Sequence, residues 1–165
     1  MTAPPDPTVL AGLLHDLADA VVIADAEGTI VFWNTAAERT FGWSADHAVG
    51  RSLDLIIPDK QRNRHWDGYR TVMQTGETRY GAELLRVPAL HADGRRRSIA
   101  FTVSLMHDEA GDITGIAAVI RDETERWQAE QDLRRQLREA TTADPAPTIT
   151  PLGAGADASP APAGS

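Results

Sequence analysis

The chain has 165 residues, a formal net charge of -8 and no cysteine. That length fits one domain with a packed core, and the cysteine count excludes disulfides, thiolate metal centres, cysteine nucleophiles and cysteinyl-flavin photochemistry. The N-terminus lacks the basic start and apolar run of a signal peptide. No apolar stretch approaches the ~20 residues that span a membrane, so no membrane role and a cytoplasmic address are expected.

Two stretches are poor in core-forming residues. Residues 1–8 carry Pro4, Pro5 and Pro7, and residues 141–165 are dominated by Ala, Pro, Gly, Ser and Thr. Neither buries enough apolar surface to offset the entropy of ordering a backbone, and both are expected to be disordered. Between them, residues 9–126 are expected to form the folded domain with its N-terminal cap helix, and residues 127–140 an exit helix.

In chain order, Leu10, Leu13, Leu14 and Leu17 recur at helical spacing and predict a short amphipathic helix over Val9 to Leu17. Ala20 to Ala24 is β-rich, and Asp25-Ala26-Glu27-Gly28 turns the chain into a return strand at Ile30 to Trp33. Asn34 or Thr35 caps a helix from Ala36 to Phe41 that Gly42 stops. Ser44 caps another short turn ending near Gly50, and Ser52 to Ile57 is a further short element closed by Pro58. A longer helix runs from Asp59 to about Thr75, with Gly76 as its terminator.

The period then changes to two. Arg79 to Leu90 alternates imperfectly, and His91-Ala92-Asp93-Gly94 is a turn. Arg97 to Leu105 alternates cleanly, with Ile99, Phe101, Val103 and Leu105 pointing one way. After a turn at Asp108 to Asp112, Ile113 to Ile120 reads as a central strand. Arg121 to Ala140 is helical, with an apolar stripe of Trp127, Leu133 and Leu137 that is too thin to be stable alone. These elements predict an α+β fold, a five-stranded antiparallel sheet with short helices and one long helix on one face.

The basic runs at 60–70 and 95–97 read as a solvated helix face and a hairpin turn, and no zinc finger or recognition helix stands behind them, so no nucleic acid is expected as a partner. His15, His47, His91 and His107 have poor claims as ligands, and no set of histidines and carboxylates has a metalloenzyme spacing. Gly50, Gly76 and Gly81 build no phosphate loop. No positioned nucleophile meets a general acid, so the chain is not expected to be an enzyme. Trp43 and Trp66 either fill space beside the short helices or line a cavity, and core packing is the favoured reading.

In order and spacing the sequence resembles a PAS domain, over about Leu13 to Arg126. The matching pieces are Ala20 to Asn34, Asn34-Thr35-Ala36-Ala37-Glu38, Phe41-Gly42-Trp43, Val49-Gly50-Arg51, Ile57-Pro58, Ala92-Asp93-Gly94, and Gly115 through Arg121-Asp122-Glu123-Thr124. The resemblance implies a signal-sensing or dimerising module that works with an effector such as a histidine kinase.

A sharper resemblance is to the haem-binding PAS domains of rhizobial oxygen-sensor histidine kinases, whose long helix carries the haem's proximal histidine just ahead of an Asp-Gly-Tyr run. This chain reads His65-Trp66-Asp67-Gly68-Tyr69, with Trp66 as an extra residue. The resemblance implies haem b, ligated through His65, and a diatomic gas or redox signal. It places Ile99, Phe101 and Val103 on the apolar distal wall, and it puts Leu85 where the family has its distal arginine; Arg86, one step along, points the other way in a strand. Taken by itself, His65 can ligate iron if a neutral ring nitrogen faces an apolar cavity; the alternative is a half-buried or solvent-facing histidine. Tyr69 and Met73 share its helix face, and Arg70 and Arg79 are candidate partners for the propionates. The expected product is a homodimeric gas or redox sensor that signals through the sheet and exit helix. The rival expectation is a cofactor-free PAS module for dimerisation, partner-protein binding or a small apolar ligand.

Overall fold

The computed structural model describes residues 4–78 and 83–143. Helix α1 (Pro7–Asp16) leads into strands β1 (Ala20–Asp25) and β2 (Ile30–Trp33). Helices α2 (Thr35–Phe41) and α3 (Ala45–Ala48), a single 3-10 turn at Leu53–Leu55 and the long α4 (Asp59–Thr75) follow. Strands β3 (Leu85–Leu90), β4 (Arg96–His107) and β5 (Ile113–Asp122) complete the sheet, and α5 (Thr124–Ala143) leaves it. Residues up to Glu130 form one compact unit, and α5 from Gln131 onward belongs to a second.

Local chemistry sets most boundaries. Asp6 caps α1 by accepting from the Thr8 N–H, with Pro7 at the first helical position. Asn34 caps α2, and Gly42 ends it in the left-handed conformation (φ 77°) that a side chain disfavours. Pro58 and Asp59 open α4, where an acidic first turn suits the helix dipole, and Gly76 closes it.

Every strand pairing is antiparallel, and the spatial order is β2-β1-β5-β4-β3. The expected strand from Arg79 begins only at Leu85, and residues 79–82 lie outside the described residues. Pro88, which lacks an N–H, is tolerated because β3 is an edge strand. The exit helix starts at Thr124 rather than Arg121. The β4–β5 ladder still pairs Ile99 with Asp122, and the Asp122 carboxylate then accepts from the Thr124 N–H.

Directly opposed residues share a face of the sheet. Leu85 faces Phe101, Phe101 faces Ile120, and Ile120 faces Ala20, which makes one row of the inner face. One step along, Arg86, Ala100 and Arg121 make a row of the outer face. The inner face packs on α2 to α4 in a core where Trp33, Phe41 and Ile30 are fully buried. The apolar stripe of α1, by contrast, is not covered: Leu10, Leu13 and Leu14 are exposed.

Candidate functional site

The site is built around α4. Trp66 anchors it: its indole Nε1 donates to Asp54 Oδ1 at 2.8 Å, and the far edge of the ring lies against Gly28 in the β1–β2 turn. One turn later the Tyr69 hydroxyl donates to the Asp25 backbone carbonyl at the end of β1. Burial pushes the Tyr69 phenol up to about 12. Met73, another turn on, is half-buried against the core. The sequence reading of Trp66 as a packing residue thus acquires a specific partner, Asp54, which the same-helix spacing could not reveal.

His65 stands beside these rings, 5.0 Å from Trp66 edge-on and 5.8 Å from Tyr69, centroid to centroid. Its Nε2 is buried and has no hydrogen-bond partner among the described residues. Burial lowers the pKa of the ring from its usual value, partly opposed by the nearby Asp54 carboxylate. The neutral imidazole with a free lone pair is therefore favoured, which is the form that ligates a metal.

The apolar candidates lie on the inner side of β3 and β4. Leu85 opposes Phe101, and Ile99 opposes Val87. Ile99 is buried, whereas Leu85, Phe101 and Val103 are only half-buried, although they lie on the core side of a sheet. Tyr69 and Ile99 belong to the one core cluster, with Met73 and Phe101 packed against it.

The charged candidates lie elsewhere. Arg70 is exposed and ion-paired with Asp67 on its own helix. Arg79 lies outside the described residues. Arg86 sits on the outer face, where its Nε donates to Glu123 Oε2 at 3.0 Å. Among the described residues no three His, Asp or Glu side chains cluster as a metal site. A haem iron needs only one protein ligand, so the relevant test is His65 itself. A buried and unpartnered imidazole, kept neutral by burial, has the chemistry of that ligand.

Sequence reasoning missed two residues. Asp54 holds both Trp66 and Arg62, and Arg97 carries a buried Nε without a partner. Arg97 shares the parity of Ile99 and Phe101, and that parity was the available signal.

Comparison with known proteins follows the same lines. The family model described as the PAS fold matches residues 10–122. Sensor protein FixL of Bradyrhizobium diazoefficiens is 30% identical over 136 residues, covering 79% of this chain and 26% of that protein. Oxygen sensor protein DosP of Escherichia coli is 27% identical over 125 residues, covering 76% of this chain and 15% of that protein. The chain thus spans about a quarter of the first relative's length and less of the second's. Among solved structures, the PAS domain of a protein from Colwellia psychrerythraea superposes with a TM-score of 0.63 at 21% identity, over 72% of this chain and 97% of that one. No helix among the described residues is long and apolar enough to cross a membrane.

Proposed function

Because this chain belongs to the PAS family, a family of sensory modules, we propose that it is a haem-binding sensor of a diatomic gas or of redox state, with His65 as the iron ligand. The observation that carries this reading is the buried, unpartnered Nε2 of His65 on α4. The kinship with FixL and DosP supports it, the second of which is named an oxygen sensor. Haem b would supply a metal centre able to bind small gases and change oxidation state.

The chain's own residues would do the rest. His65 holds the iron. Tyr69 and Met73 border the ligand side chain on its helix face, and Leu85, Ile99, Phe101 and Val103 form the apolar wall opposite. A ligand pressing on that wall bears on β4, which is laddered to β5, and β5 runs directly into α5. A displacement of β5 would be read by a second copy or by a separate effector such as a histidine kinase. In this reading the chain is non-catalytic and works in the cytoplasm.

A visible spectrum after expression with ample haem supply tests the proposal. An intense haem band that shifts on reduction and again with carbon monoxide, and that weakens in His65→Ala, is the expected result. A flat trace unchanged by added haem would sink it.

A second reading, a cofactor-free PAS module for dimerisation, partner binding or a small apolar ligand, draws on the exposed apolar side chains of the flanking helices. These are Leu10, Leu13 and Leu14 on α1, and Trp127, Leu133 and Leu137 on α5. A flat spectrum together with a dimer that Leu13→Asp or Leu133→Asp dissociates in sedimentation would favour it.

A further inference from the structure

We infer that the groove where α5 leaves the sheet binds a small zwitterion of the α-amino-acid type, with its carboxylate on Arg97 and its ammonium on Glu125 and Asp122. The groove has a volume of about 510 Å³, within the range of small-molecule sites. Arg95 lines it from the β3–β4 turn, Arg97 from β4 and Asp122 from the end of β5, with Thr124, Glu125 and Gln128 from the opening of α5. It shares no residue with the surroundings of His65 and does not rest on the haem reading.

The lining selects the class of guest. All six residues are polar or charged, so an apolar molecule finds no match there. Arg95 is already paired with Asp93 through Nε and Nη2. One oxygen of Asp122 accepts from the Thr124 N–H and hydroxyl, and Thr124 Oγ1 accepts from the Ser98 N–H. What stays open is Arg97, Glu125, Gln128 and the second oxygen of Asp122. A simple anion would meet two carboxylates here, and a simple cation would meet a guanidinium. Coulomb repulsion opposes each of them, whereas a guest that carries both signs satisfies both ends.

Arg97 is the residue that most needs a partner. It is half-buried, lies opposite Ala89 and shares the parity of Ile99. Its Nε–H is buried and has no acceptor among the described residues, although two carboxylates line the same groove. A charged donor left in that state is costly, and few are found. A guest carboxylate that draws the guanidinium further into the groove would give Nε–H and the adjacent Nη–H two parallel acceptors. That side-on fork is the strong arginine–carboxylate geometry. Because Arg97 stands on β4 and Glu125 on α5, an occupied groove ties the start of the exit helix to the sheet.

The test is an NMR titration of the full chain with the common L-α-amino acids, one at a time. It is followed at the Arg97 Nε–H and at the Glu125 and Gln128 backbone amides. The expected result is that at least one amino acid shifts all three saturably and slows hydrogen exchange at Arg97 Nε–H. The corresponding amine without the carboxylate, and the N-acetyl derivative without the ammonium, should bind about tenfold more weakly or worse. Arg97→Gln should lower the affinity by about tenfold to a hundredfold, as expected for a lost charge-assisted bond. Glu125→Gln, at an exposed position where folding is not at stake, should do the same. No saturable shift with any amino acid overturns the inference. So does acetate or inorganic phosphate binding as tightly as the amino acid, which would make the groove a plain anion site. Binding that survives both substitutions places the guest elsewhere and also overturns it. None of these outcomes bears on the haem reading, which the spectrum decides.

Discussion

Trp66 and Gly28, thirty-eight positions apart, are fitted to each other: a Cβ on Gly28 would meet the Trp66 ring at 2.3 Å. Gly28 has φ 82°, which a side chain resists, and it has no space for one either. The β1–β2 turn therefore receives α4 at Gly28 as well as at the Asp25 carbonyl, and Trp66 Nε1 completes the attachment at Asp54. The neighbour of Trp66 on the helix is His65, so this attachment also fixes where the candidate ligand stands.

Gly28→Ala is expected to lower stability by about 2–3 kcal/mol, from the strained backbone and the clash combined. Part of that cost should vanish in a Trp66→Ala background, where only the backbone term remains. Denaturant unfolding of the two single variants and the double variant checks this. Strict additivity would mean that the ring and the turn do not touch.

Asn34 is fully buried and uses every bond its amide can make with this backbone. Its Oδ1 accepts from the Val21 and Ala37 N–H groups, and its Nδ2 donates to the Leu14 and Asp19 carbonyls. Asn34→Ala should cost about 3 kcal/mol or more, because buried groups lose their partners. Asn34→Asp keeps the acceptor but turns an oxygen toward two carbonyls, and should be no better tolerated. Thermal melts of both variants decide it; a shift as small as that of an exposed substitution would contradict the network.

Tyr69 gives a pH signature at the site. Its phenol titrates at about 12 in the fold against 10.0 for an unperturbed tyrosine, chiefly through burial. The folded protein thus retains the proton after the unfolded chain has lost it. The contribution to stability is whole below pH 10.0 and is lost as pH rises toward about 12. Tyr69→Phe should lack this alkaline decline and cost about 1 kcal/mol at neutral pH for the bond to Asp25. Ultraviolet titration of phenolate, with unfolding followed at each pH, measures both.

The β3–β4 hairpin carries a second signature, at the acid end. The Asp93 carboxyl is held at about 2, first by the Arg95 backbone N–H, with the Arg95 and His91 side chains adding to it. An NMR titration should place its midpoint there. The stabilising contribution is complete above the ordinary 3.8 and is lost as pH falls through about 2. Asp93→Asn should remove this acid dependence without altering the fold, since the amide oxygen can still accept from the Arg95 N–H.

Much of the fold could be read from local signals. The caps at Asn34 and Ser44, the opening of α4 at Pro58-Asp59 and its close at Gly76, and the turns at Gly28 and Gly94 are short-range events. A side chain or a permissive backbone satisfies groups a few residues away. The alternation of Ile99, Phe101 and Val103 likewise announces a shared face, because side chains in a strand alternate by geometry alone. His65 is nominated by the resemblance to haem-binding PAS domains; its place on a long helix with Tyr69 and Met73 leaves a half-buried or solvent-facing histidine equally open.

The tertiary structure decided what those residues meet. Strand order β2-β1-β5-β4-β3 places the last strand between the first and the fourth, and nothing local dictates that. Strand alternation set Arg86 on the other face from Leu85, and the uninterrupted ladder and the Glu123 carboxylate hold it there. Trp66 had no evident partner until Asp54 and Gly28 came to it, and the Nε2 of His65 is left without one by the same packing. Backbone propensity and turn chemistry act within a few residues and are written in the chain. The partners of a buried polar atom come from segments tens of residues away, and only closure of the core brings them within hydrogen-bond reach.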